Sequence, residues 1–160
     1  MTEQEKYAFD LGRAYRLGRL EATWVKVLET KKSSKTAREC NKIFILYKDS
    51  REKLKVLHLI YEVGYEEFFN PDRVTMPKKL KTTISNLPGF LLDLGQAYED
   101  GVFNAYLDKT PQRSRLERED LYPFASYKNS PDALEQLHGA FEWGYIDGKP
   151  HHLRKNYFLP

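Results

Sequence analysis

The sequence predicts an all-α chain, and three observations predict it. The chain contains an internal duplication, its apolar residues recur at three- and four-residue steps, and no stretch alternates apolar and polar residues long enough for a useful strand. At a shift of 80, F-I-L-Y-K-D-S-R-E-K-L-K-V-L-H-L-I-Y-E-V-G-Y (44–65) meets F-A-S-Y-K-N-S-P-D-A-L-E-Q-L-H-G-A-F-E-W-G-Y (124–145), with ten of 22 positions identical. At a shift of 83, D-L-G-R-A-Y-R-L-G-R-L-E-A (10–22) meets D-L-G-Q-A-Y-E-D-G-V-F-N-A (93–105), with seven of 13 identical. Ser34/Ser114, Arg38/Arg118 and Glu39/Glu119 agree between these blocks. The three-residue change of offset falls near 23–33 and 106–113, where a loop absorbs it.

Each copy reads as about three helices. Ala8, Leu11, Gly12, Tyr15 and Ala22 mark the inward stripe of a first helix, and Leu54, Leu57, His58, Tyr61 and Phe68 that of a second. Ser130-Pro131-Asp132 supplies an N-cap hydroxyl, a proline at the first helical position and a carboxylate at the positive helix end; Ser50-Arg51-Glu52 holds the same place in the first copy. Asn70-Pro71 and Gly148-Lys149-Pro150 are the expected stops. Gly12, Gly64, Gly95 and Gly144 each follow an acid and an apolar residue. A helical glycine costs about 1 kcal/mol against alanine, so their retention points to close helix crossings. Gly18 and Gly101 read instead as a kink or a helix end. Proline and lysine residues make 71–88 the natural linker. The expected organisation is therefore repeat 1 over 1–70, a linker over 71–88, and repeat 2 with a C-terminal tail over 89–160. Units this small bury little alone, so two pseudo-symmetric repeats are expected to pack as one compact body.

Composition narrows the function classes. The chain has 41% hydrophobic and 31% charged residues, no apolar run near a membrane span, and one cysteine, Cys40. A cytoplasmic setting without membrane contact follows as the expectation. The charge is uneven. Residues 1–80 hold 17 basic and 12 acidic residues, a net of +5, whereas 81–160 hold 9 and 11, a net of −2.

Two constellations invite chemistry. His58/Glu62 and His138/Glu142 place a histidine and a carboxylate one helical turn apart in both copies, accompanied by Asp10/Asp93 and tyrosines at 15/98, 47/127 and 65/145. Those residue types suit proton transfer or metal binding. The competing reading is a histidine on the inward helix edge, hydrogen-bonded to a neighbouring tyrosine or carboxylate, and it is the one adopted. His138, His151, His152 and Cys40 fit no zinc spacing, and no phosphate loop, nucleophile elbow or H-E-x-x-H occurs. No catalytic residue, metal or cofactor is expected.

The second constellation is the basic run 26–55, with ten basic residues against four acidic. Its candidate binding residues are Lys31, Lys32, Lys35, Arg38, Lys42 and Lys48, with Trp24 and Tyr47 as neighbouring aromatic anchors. The equivalent stretch 106–135 has five basic residues against six acids, so a general need for solubility does not explain the first copy's charge. The tail 151–160 ends in Tyr157-Phe158-Leu159-Pro160, an aromatic patch that either docks on the core or anchors a partner. Gly144-Tyr145-Ile146-Asp147-Gly148 with Asn156-Tyr157 resembles the glycine-tyrosine helix motif of ribosome modulation factor and related small phage and bacterial proteins. The likeness ends there, and no role is transferred from it.

The expected function is a non-catalytic binding or regulatory protein whose basic first repeat engages an acidic macromolecule, a protein partner being the leading expectation. An accessory inhibitor from a phage or mobile element fits that profile. The alternatives are a nucleic-acid-binding protein and, behind it, a small enzyme using a helix-borne His/Glu pair.

Overall fold

The computed structural model describes residues 1–72, 76–107 and 112–158, with side chains through Lys149. Every regular element among them is helical. The chain divides into two units, Met1–Leu92 and Asp93–Pro160.

In the first unit, α1 (Glu3–Leu28) begins on a reciprocal cap. Thr2 Oγ1 accepts from the Glu5 N–H at 3.1 Å, and the Thr2 N–H donates to Glu5 Oε2 at 2.8 Å, which satisfies two donors that a helix start leaves open. α1 ends where Glu29 turns left-handed at φ 55°. Two four-residue helices follow, α2 (Lys35–Arg38) and α3 (Lys42–Ile45), started by the side chains of Ser34 and Asn41. They are too short to show a hydrophobic period, so no periodic stretch marks them in the sequence. α4 (Arg51–Phe69) packs on α1 and stops at Asn70, as the Asn70-Pro71 signal predicts. Ser50 stands at its N-cap but makes no side-chain capping bond. Leu11, Ala14, Ile43, Phe44, Leu57 and Tyr61 form the core between these elements.

The stretch 71–88, expected as a linker, contains α5 (Lys78–Ser85), whose Leu80 is 2% exposed and belongs to the first unit's core. The boundary between the units falls later, between Leu92 and Asp93 inside α6 (Gly89–Tyr106). The second unit continues with α7 (Arg115–Arg118), a 3₁₀ turn over Phe124–Tyr127, and α8 (Pro131–Phe158). Ala97, Phe124, Leu137 and Phe141 are its buried apolar residues of note. Pro131 opens α8 as predicted, but Gly148-Lys149-Pro150 does not end it. Gly148 is a packing residue there: a Cβ would fall 2.7 Å from the Val102 carbonyl oxygen. The side chains of the tail, His151 and His152 included, lie outside the described residues.

The helix crossings depend on glycine. A Cβ on Gly18 would fall on the Tyr61 carbonyl oxygen, and one on Gly64 would fall on that of Tyr15, both nearer than real Cβ contacts come. In the second unit Gly101 meets the Phe141 carbonyl and Gly144 that of Tyr98 in the same way. Gly18 and Gly101 are thus crossing glycines and not the kinks or helix ends expected of them. What they abut is backbone, which cannot swing aside as a flexible side chain does.

Gly64→Ala is therefore expected to destabilise the chain by about 3 kcal/mol, because α1 and α4 must separate to admit the methyl group. Gly139 in α8 has nothing within 4 Å of its Cβ position. Gly139→Ala should instead stabilise by about 0.5–1 kcal/mol. Urea unfolding followed by circular dichroism checks both signs.

Candidate binding surface

The segment α2–α3 carries polar groups from the loop onto the α1–α4 crossing. Arg38, 7% exposed, donates from Nη1 to Glu62 Oε1 at 2.6 Å and lies 4.5 Å over the Tyr61 ring. Lys32 pairs with the other Glu62 oxygen. Burial pushes the Glu62 carboxyl up, but Lys32 and Arg38 outweigh it and hold the pKa below its usual 4.5. His58, 5% exposed, faces Glu39 Oε1 across 3.1 Å and packs its ring on Phe44. Facing a carboxylate, its Nε2 carries the proton and donates, which leaves Nδ1 buried with no hydrogen-bond partner among the described residues. Tyr47 donates to Asp10 Oδ2 at 2.7 Å, Tyr15 to Glu67 Oε1 at 2.7 Å, and the loop residue Ser33 donates from its N–H and hydroxyl to Glu21.

The second unit makes the corresponding bonds at the corresponding positions. Arg118 donates to Glu142 at 3.2 Å and lies 4.3 Å over the Phe141 ring. His138 faces Glu119 at 3.4 Å against Phe124. Tyr127 bonds Asp93, Tyr98 bonds Asp147, and the Arg113 N–H bonds Asn104. The histidine partners are Glu39 and Glu119, not the same-helix Glu62 and Glu142 that the four-residue spacing suggested. The retained polar residues close on one another within each unit. Among the described residues no three His, Cys, Asp or Glu side chains converge as metal ligands.

This network sorts the candidate binding residues. Arg38 and Tyr47 are committed inside the first unit, and Lys32 is held by Glu62 and lies 4.4 Å over the Tyr65 ring. Lys31, Lys35, Lys42 and Lys48 are exposed, with no carboxylate in ion-pair reach among the described residues. Trp24 is 36% exposed.

The equivalent positions of the second unit behave differently. Arg115, in place of Lys35, is gripped by Glu135 at 2.7 Å and Glu142 at 3.0 Å. Lys128, in place of Lys48, pairs with Asp120 at 2.9 Å. Tyr122, in place of Lys42, donates to Asp93 at 3.0 Å. Of these acids Glu142 has its counterpart in Glu62, but Asp120 and Glu135 have none, since Cys40 and Lys55 stand in their places. Lys55 was not among the candidate site residues, although its charge reversal against Glu135 is visible at the shift of 80. The same comparison separates exposed Ile45 and Leu46 from Ala125 and Ser126.

No family model, curated protein or solved structure matches the chain.

The buried histidines give stability a pH dependence. Burial lowers both histidine pKa values from 6.5, and the charges of Arg38 beside His58 and Arg118 beside His138 act in the same direction. The folded state therefore favours neutral imidazole, and its advantage is present above pH 6.5 and declines as pH falls below that value. Glu62 and Glu142, held below 4.5 by their cations, contribute a separate loss that begins only below pH 4.5. Urea midpoints measured across pH 7 to 5 should fall for the native chain and fall less for His58→Gln/His138→Gln. A midpoint independent of pH in that window would contradict the buried neutral pair.

Proposed function

We propose that the protein is a non-catalytic binding protein, built from two diverged copies of one helical unit, whose first copy engages an acidic macromolecule. One observation carries the reading. Among the described residues, exposed Lys35, Lys42 and Lys48 lack the acidic or hydrogen-bonding partners that their counterparts have in the second unit. A cation on a surface that serves solubility alone gains from a nearby carboxylate, by up to about 1 kcal/mol. The first copy has replaced two such carboxylates by Cys40 and Lys55. An acidic partner supplies the missing negative charge in trans.

The retained polar groups support the non-catalytic part. His58 and His138 are buried and already bonded to glutamates, and the tyrosines and aspartates of each copy are bonded to one another. Such a protein acts by occupying its partner, as an adaptor or stoichiometric inhibitor does. A reducing, cytoplasmic setting accords with exposed Cys40.

Polyglutamate titrated at low salt is expected to bind, with an affinity that falls steeply as salt rises. Lys35→Gln/Lys42→Gln/Lys48→Gln should weaken binding by more than about tenfold and flatten the salt dependence, whereas Lys128→Gln should leave both nearly unchanged. Unchanged binding in the triple variant, with the fold intact by circular dichroism, would count against the basic face.

A further inference from the structure

The exposed differences between the units concern more than charge. Ile45 is 46% exposed and Leu46 55% exposed, and both sit at the end of α3, between Lys42 and Lys48. The second unit has Ala125 and Ser126 in their place. Two large aliphatic side chains held in water by a cap-started helical turn gain nothing for the fold, whose core residues on the same turn are Ile43 and Phe44, 0% and 1% exposed. Lys35 and Lys55 flank the same segment. In the second unit Arg115 and Glu135, their counterparts, are joined at 2.7 Å. Lys55 stands one helical turn before His58, and the charge of Lys35 acts on that same histidine.

From this placement, and resting on the reading above, we infer that Ile45 and Leu46, with Lys42 and Lys48 on either side of them in the chain and exposed Lys35 and Lys55 on the helices before and after, form a docking face for an acidic, amphipathic segment of a protein partner. The chemistry separates a protein from a nucleic acid. Bases are gripped by stacking on aromatic rings, and aliphatic side chains offer no such face. The aromatic residues of this segment are Phe44, buried in the core, and Tyr47, turned inward onto Asp10. A central apolar anchor with a charged rim is instead the usual anatomy of a protein contact. Leucine or phenylalanine side chains on one face of the partner helix would meet Ile45 and Leu46. Its glutamates and aspartates would take the positions that Glu135 and Asp120 hold in the second unit.

Three fluorescent probes test the inference on the full chain: a Glu/Leu peptide that forms an amphipathic helix, polyglutamate of equal charge, and a short DNA duplex. The amphipathic peptide should bind more tightly than polyglutamate. Ile45→Ala/Leu46→Ser, which installs residues the second unit itself carries, should weaken it roughly tenfold and leave polyglutamate unchanged. Ile146→Ser, which removes another exposed aliphatic residue of the chain, should do neither. Equal binding of the two peptides with no effect of Ile45→Ala/Leu46→Ser would overturn the aliphatic anchor and leave the acidic-partner reading intact. Tightest binding to DNA would overturn the choice of a protein partner. Failure of all three probes to bind at low salt would overturn both readings.

Discussion

Two glycines on facing helices, each set against a carbonyl of the other, hold the first unit in its arrangement. Gly18 lies on Tyr61 and Gly64 on Tyr15, one helical turn apart on each side. Helix backbones this close leave no room for side chains between them, so the side chains that stabilise the crossing must come from its flanks. That is where α2 and α3 lie. They bring Phe44 to Tyr61 and His58, and Arg38 to Glu62. Burying a guanidinium costs several kcal/mol unless a carboxylate meets it, which ties Glu62 to Arg38. The same constraint in the second unit, Gly101 on Phe141 and Gly144 on Tyr98, accompanies the same bonds between Arg118 and Glu142.

The polar groups that look most chemical in the sequence are consequences of this packing. His58 and Glu62 share a helix face, but each has its own partner from the segment that crosses them, Glu39 for one and Arg38 for the other. A histidine bonded through one nitrogen, with its other nitrogen buried, is held neutral and is a poor proton shuttle at neutral pH. On the proposed reading, recognition falls to the solvent side of the same crossing segment. There the units diverge in charge and in apolar content at exposed positions such as Lys42/Tyr122, Ile45/Ala125 and Lys55/Glu135.

Much of this was legible in the sequence because it is periodic or repeated. The long helices, the stop at Asn70, the start at Pro131 and the crossing roles of Gly64 and Gly144 follow from spacing and from what both copies keep. Four features escaped. The stretch 71–88 looks like a linker from its prolines and lysines, although it carries α5 and the core residue Leu80. α2 and α3 are single turns, shorter than any hydrophobic period. Gly18 and Gly101 look like helix ends because the sequence does not reveal that the facing backbone occupies the Cβ position. Gly148 and Pro150 look like a stop for the same reason, although Gly148 packs on Val102. Burial sorted the candidate surface where charge counting could not: Arg38 and Tyr47 belong to the scaffold, while Lys55, Ile45 and Leu46 stood in plain sight as differences between the copies.

The central claim is that one scaffold carries an exchangeable outer face. Transplanting that face tests it most directly, by giving the second unit the first unit's exposed residues through Tyr122→Lys, Ala125→Ile, Ser126→Leu and Glu135→Lys, with Asp120→Asn to remove the carboxylate that the first unit lacks. To isolate the new face, Lys35, Lys42 and Lys48 are replaced by glutamine in the same chain. The account predicts that this chain keeps its helical circular dichroism and regains polyanion binding lost with the three lysines. A chain that keeps the fold and stays unable to bind would contradict it.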